Sequence, residues 1–221
     1  MVERQEVSQE YVRFPTGDIE LEGILHLPPG SPMVPAVVVC HPHPLFGGDM
    51  HNNVVLAVCH GLAQASIASL RFNFRGVGGS GGSHDEGIGE QRDVIAALAY
   101  LRSMGQIDSS RIGLAGYSFG TKVAAPVALG DDKVRALALI SPFLMSWEWD
   151  RMAGCALPKL FLCGSDDSFV AAEEVQRRVE VLPEPKKCHI VSGADHMWWG
   201  YEGTIAEAVA TFFASALSAA K

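Results

Sequence analysis

The chain has 221 residues, 48% of them hydrophobic and 19% charged, which is enough apolar surface for a buried core and excludes disorder of the whole chain. Lysine and arginine number 17 against 25 aspartates and glutamates, and the net charge of −8 argues against a nucleic acid or an anionic membrane surface as the partner. The length suits one domain over residues 1–221, because domains cluster at roughly 100 to 200 residues.

The first expected elements are two extended stretches, Glu10 to Phe14 and Ile19 to Leu27, reversed by Pro15, Thr16, Gly17 and Asp18. They predict a hairpin at a sheet edge. Beyond Pro28, Pro29 and Gly30 the run Ala36 to Cys40 is continuously apolar, as expected for a strand covered on both faces. Similar runs recur at Ser69 to Phe74, Arg111 to Ala115, Val134 to Ile140, Lys159 to Cys163 and Cys188 to Val191. Helical spacing separates them. Val54, Val58 and Leu62 share one face, as do Val94, Ile95, Leu98 and Leu101, and Ile205, Val209, Phe212 and Ala216 form a closing stripe with Leu217 nearby. Alternating strand and helix predicts an α/β fold: a mostly parallel, doubly wound sheet with an antiparallel edge hairpin.

The five cysteines, at 40, 59, 155, 163 and 188, are scattered without C-x-x-C spacing, and read as small core hydrophobes. Met1 to Glu10 is polar, and no uninterrupted apolar run reaches about 18 residues. A soluble protein of a reducing cytoplasm is the expectation.

Gly116-Tyr117-Ser118-Phe119-Gly120 matches G-x-S-x-G between an apolar strand and a helical segment. In that setting a strained serine at a sharp turn presents its hydroxyl above the strand end, where it can act as a nucleophile. Gly78 to Gly82 matches the same string, and Gly76, Gly78 and Gly81 match G-x-G-x-x-G, but no amphipathic helix opens at Gly82. Ser80 as a nucleophile and a dinucleotide loop are therefore disfavoured. A base for Ser118 is found in His196, just past the run ending at Val191. Orienting that imidazole needs a carboxylate, and Asp166 or Asp167, after the strand ending at Gly164, could serve. Asp195 is adjacent to His196 and better suited to a cap. The order serine, aspartate, histidine is the order a doubly wound hydrolase sheet imposes.

With these residues in place the chain resembles the α/β-hydrolases. More narrowly, His41 to Gly48 (HPHPLFGG), Arg71 to Gly78 (RFNFRGVG) and Asp85 to Glu90 (DEGIGE) are similar to blocks of small bacterial predicted hydrolases related to dienelactone hydrolase. The resemblance selects Asp167 as the acid, with Asp166 in reserve. Two backbone donors are expected for a tetrahedral oxyanion: the Phe119 N–H and, from the similarity of Pro44 to Gly47, the Leu45 N–H, with His43 as its rival. His41 and His43 alternate as a pair of metal ligands would in an extended chain, but no carboxylate lies between them and Asp49, and a role in positioning that loop is preferred. No metal and no cofactor are expected.

Phe143, Leu144, Met145, Trp147, Trp149 and Met152 lie between Pro142 and Pro158, an apolar insertion too short for a lid domain. Phe46, Met145, Trp147 and Trp198, with Trp199, are the candidate substrate-binding side chains; the competing reading is that half of these residues complete the core. The function expected is a carboxylesterase for small or short-chain esters. Thioester, lactone or amide cleavage by the same residues, and a non-catalytic binding scaffold of this fold, are the alternatives.

Overall fold

The computed structural model describes residues 8–29 and 33–218, and the outermost N-terminal residues counted in the sequence reading lie outside them. The eight strands among the described residues join one sheet, in the order β1-β2-β4-β3-β5-β6-β7-β8. They are β1 (Ser8–Thr16), β2 (Ile19–Leu27), β3 (Val34–Cys40), β4 (Ala68–Phe72), β5 (Ile107–Tyr117), β6 (Val134–Ile140), β7 (Lys159–Gly164) and β8 (Lys186–Val191). β1 pairs antiparallel with β2 and β2 antiparallel with β4, while β4, β3, β5, β6, β7 and β8 run parallel. The expected edge hairpin is present with a tighter reversal. Pro15 and Thr16 stay in the ladder, opposite Glu20 and Ile19, and the turn is Gly17 and Asp18 alone, with Gly17 at φ 59°.

Burial on both faces follows from alternation along the strands. Ala36, Val38 and Cys40 of β3 enter one core, and Val37 and Val39 enter the other. The first core is closed by α2 (Ile88–Ser103), α3 (Phe119–Gly130), α4 (Ser146–Ala153) and α5 (Ala172–Glu180). α1 (Asn53–Gln64) and α6 (Glu202–Ala216) close the second. Val54, Val58, Leu62, Ile205, Val209 and Phe212 are buried as their spacing predicts. Ile95 is not. It is 55% exposed, and the buried face of α2 is Val94, Ala97, Leu98 and Leu101. Cys40, Cys59 and Cys163 are buried and Cys155 and Cys188 half-buried, all five as free thiols. No helix among the described residues is long and apolar enough to cross a membrane.

The expected strand Ser69 to Phe74 ends as β4 two residues early, at Phe72, and of its last two amides only that of Phe74 turns away from the neighbouring strand β2. The Asn73 N–H donates to the Glu22 carbonyl, and the Phe74 N–H donates to His41 Nε2. His41 is completely buried, and its Nδ1–H donates to the Pro42 carbonyl at 2.6 Å. Both ring nitrogens are therefore committed, and the ring ties the loop after β3 to the end of β4. The glycine loop is likewise structural. Arg75 forks onto buried Asp93, with its Nη2 2.7 Å from Oδ1, and the buried Ser80 hydroxyl donates to the Asn73 carbonyl while accepting the Glu22 N–H.

His26 on β2 is buried and accepts a hydrogen bond from Arg71 Nε on β4 at 3.0 Å. Burial, then the Arg71 charge, lowers its pKa from 6.5 to about 4, and burial brings His41 to about 4 as well. Between 6.5 and 4 the unfolded chain binds more protons than the native one, so stability is full above 6.5 and declines as the pH falls toward 4. Thermal melts across that window should show a falling midpoint, with a smaller fall in His26→Gln.

Candidate active site

β5 ends at Tyr117 and α3 begins at Phe119, so the chain reverses on Ser118 alone, at φ 52° and ψ −117°. Two contacts without room for a side chain make the reversal possible. A Cβ on Gly116 would sit 2.4 Å from the Gly120 carbonyl oxygen, and one on Gly120 would sit 2.4 Å from that of Cys40. The glycines of the motif thus let α3 sit directly on the ends of β5 and β3. Strain at Ser118 is held from both sides: its N–H donates to the Ile140 carbonyl, and its carbonyl accepts from the Thr121 N–H and hydroxyl. Thr121 Oγ1 also accepts the Phe143 N–H, which brings Phe143 to the elbow.

The structure brings Ser118, His196 and Asp167 into one hydrogen-bonded chain. Ser118 Oγ lies 3.0 Å from His196 Nε2, and His196 Nδ1 lies 3.0 and 2.9 Å from the two Asp167 oxygens. Because Nδ1 faces an ionised carboxylate it carries the proton, which leaves Nε2 free to accept from the serine. The His196 carbonyl takes a 2.6 Å hydrogen bond from the Tyr117 hydroxyl. Burial, then the charges of Asp167 and Asp195, pushes the Tyr117 phenol up, so it remains a donor. Burial by itself raises the Asp167 carboxyl, but hydrogen bonds from His196, Ser141 and the Phe169 amide outweigh it and hold the group below the usual carboxylate range. Asp166 points away, accepting from Ser165 at the exposed surface. Asp195 caps its own turn, accepting the Met197 and Trp198 amides.

A cavity of about 540 Å³ opens above Ser118, lined among others by His43, Phe46, Phe119, Phe143, Phe169 and Met197. Of the four predicted substrate side chains, Phe46 lines it. Met145 and Trp147 lie on or beside α4, half exposed and outside the lining. Trp198 is a correction: it is fully buried, its indole N–H donating to Ser141 Oγ. The insertion does not overhang the site as a whole, because α4 turns its apolar side inward, with Trp149 stacked on Phe161 and Met152 fully buried. Phe169, Met197 and Tyr117 were missed by sequence reasoning. Each directly neighbours, or lies two residues from, a member of the chain, and that proximity was the available signal.

Leu45 is a second correction. Its N–H donates to His43 Nδ1 at 3.2 Å, its side chain is 68% exposed, and it lies outside the cavity lining. The short 3-10 turn Pro44–Phe46 directs the His43 carbonyl to the Phe46 and Gly48 amides, and among the described residues the His43 N–H has no acceptor. The Phe119 N–H, at the first position of α3, has no intrahelical acceptor. His41 faces the interior while His43 lines the cavity, so the two imidazoles do not converge as a metal pair would.

A family model for the alpha/beta hydrolase domain matches residues 36–204. The chain belongs to the alpha/beta hydrolase family. It is similar to an alpha-beta serine hydrolase homologue from Coxiella burnetii, with 33% identity and a TM-score of 0.82 over 91% of this chain and 96% of that one. It is also similar to XC6422 from Xanthomonas campestris, described as an a/b serine hydrolase without lid, with 29% identity and a TM-score of 0.82 over 98% of both chains. Protein RP471 of Rickettsia prowazekii is 34% identical over 198 residues, 86% of this chain and 82% of that protein. As a hydrolase of this fold, the chain depends on its elbow glycines. Gly120→Ala should cost about 1–3 kcal/mol in denaturant unfolding, since a clash with backbone must be relieved by moving α3.

Proposed function

We propose that the protein is a serine esterase that cleaves small or short-chain carboxylic esters through an acyl-enzyme. The observation that carries this reading is the unbroken hydrogen-bonded chain from the Ser118 hydroxyl through His196 to Asp167, at the foot of an apolar cavity. As Oγ attacks the ester carbonyl carbon, His196 Nε2 takes the serine proton and the carbonyl electron pair moves onto oxygen. The N–H groups of Phe119 and His43 receive that oxyanion. Collapse of the tetrahedral species breaks the ester C–O bond, and His196 returns the proton to the departing alcohol. Water, deprotonated by the same imidazole, then attacks the acyl carbon; the acyl–Oγ bond breaks, His196 returns the proton to Ser118 Oγ, and the carboxylic acid leaves. Asp167 stays ionised throughout and stabilises the transient imidazolium. No step calls for a metal or a cofactor.

His43 rather than Leu45 is assigned the second donor because it lines the cavity and its amide is unclaimed among the described residues. The preference for short substrates is supported by the cavity volume of about 540 Å³ and by phenylalanine and methionine walls. The lidless Xanthomonas relative agrees with an open site.

Ser118→Ala should abolish turnover of p-nitrophenyl acetate and labelling by a fluorophosphonate. A label retained at another residue would remove the assignment. Ser80→Ala should keep the label and lose about 1–2 kcal/mol of stability, because its hydroxyl is buried with two partners. His43 has φ −59°, which proline can adopt. His43→Pro removes the amide donor and should lower kcat by roughly 10²- to 10³-fold, whereas His43→Ala keeps the N–H and should retain most activity.

A further inference from the structure

Among the described residues, five other than glycine have positive φ, and three of them, Ser118 (52°), Ser141 (45°) and Trp198 (60°), belong to a single hydrogen-bonded chain. Trp198 Nε1–H donates to Ser141 Oγ at 2.9 Å, and Ser141 Oγ donates to Asp167 Oδ2 at 2.7 Å. Asp167 then accepts from His196, which faces Ser118. The direction of the relay is forced. An indole nitrogen can only donate, so the Ser141 oxygen accepts from it and the hydroxyl proton is left for the carboxylate.

Ser141 and Trp198 are both fully buried, at the end of β6 and in the turn that carries His196. The Ser141 N–H is anchored to the Leu162 carbonyl of β7 at 2.8 Å. The carboxylate is thus gripped on two sides. Oδ1 accepts the Phe169 and Val170 amides at 2.9 Å each, and Oδ2 accepts the Ser141 hydroxyl, leaving His196 Nδ1 as the one further partner of both oxygens. Left-handed backbone at a serine and a bulky tryptophan is unfavourable and persists only where the surroundings over-determine it. If these side chains served packing alone, an apolar residue could replace Ser141 without consequence beyond the core.

We propose that Ser141 and Trp198 are positioning residues that hold the Asp167 carboxylate against His196 Nδ1 and so set the rate of proton transfer from Ser118. The proposal rests on the serine esterase reading above. In its terms Trp198 orients the Ser141 hydroxyl, the hydroxyl orients the carboxylate, and the carboxylate fixes the imidazole.

The test combines steady-state kinetics on p-nitrophenyl acetate with the downfield proton NMR resonance of His196 Nδ1–H, identified by its loss in His196→Ala. Ser141→Ala should lower kcat about ten- to a hundred-fold, the range for losing a hydrogen bond to a charged group. KM should be unchanged, since the interaction matters in the transition state. The resonance should move upfield. Ser141→Cys, a weaker donor of similar shape, should restore part of both, and Trp198→Phe should give a smaller change in the same direction. A folded Ser141→Ala with wild-type kcat and an unmoved resonance would overturn the proposal, and if that variant does not fold, Trp198→Phe decides by the same two readouts. Failure of the esterase reading has a different signature: the wild-type chain would take no fluorophosphonate label, while the resonance, read without turnover, would still report whether the relay positions the ring.

Discussion

The close approach of backbone to backbone where α3 meets the ends of β5 and β3 is the constraint on which the site depends. With no side chain at Gly116 or Gly120, the Gly120 carbonyl lies against Gly116 and the Cys40 carbonyl against Gly120, at distances that would exclude a Cβ. Ser118 makes the reversal between them at φ 52° and ψ −117°, and its hydroxyl is carried above the sheet. The same approach leaves the Phe119 amide, at the first helical position, without an intrahelical acceptor and brings the loop after β3 alongside it. The candidate nucleophile and the amides proposed to receive the oxyanion are thus products of one packing arrangement.

Electrostatics completes what packing begins. Asp167 stays charged despite burial because donors reach both of its oxygens, and that charge fixes the proton of His196 on Nδ1. Tyr117 ties the imidazole's own backbone back to β5, the strand that carries the serine. Serine and histidine therefore hang from the same frame, although they are 78 residues apart. Elsewhere the protein buries polar groups for structure alone. His41, Arg75 and Ser80 each satisfy nearby backbone or a buried carboxylate, which removes them from the functional inventory that their motifs suggest.

Much of this was legible locally. The run Val134 to Ile140 matches β6 residue for residue, because five consecutive apolar residues, Ala136 to Ile140, are buried on both faces of the sheet and only Arg135 near its start is exposed. The elbow was legible because strand, glycine-flanked serine and helix are contiguous. His196 and the pair Asp166 and Asp167 were legible from their positions just past strand ends, and the family resemblance pointed to Asp167 within that pair. Ile95 went wrong because helical spacing identifies a face but not its width, and α2 buries Ala97 in its place. Leu45 went wrong because one side chain, that of His43, folds back onto its amide, which no pattern of residue types records.

From residue order and type alone came the alternation of strand and helix, the candidate serine with its setting, and the short list of partners it could have. Only the tertiary structure decided which aspartate meets the imidazole, which loop amide is left free, and which tryptophans face solvent or core. The physical reason is range. Periodicity and turn chemistry act over a few neighbouring residues, whereas the direction of Trp198, buried beneath Ser141 and Asp167, depends on three strand ends that are brought together only when the sheet closes its two cores.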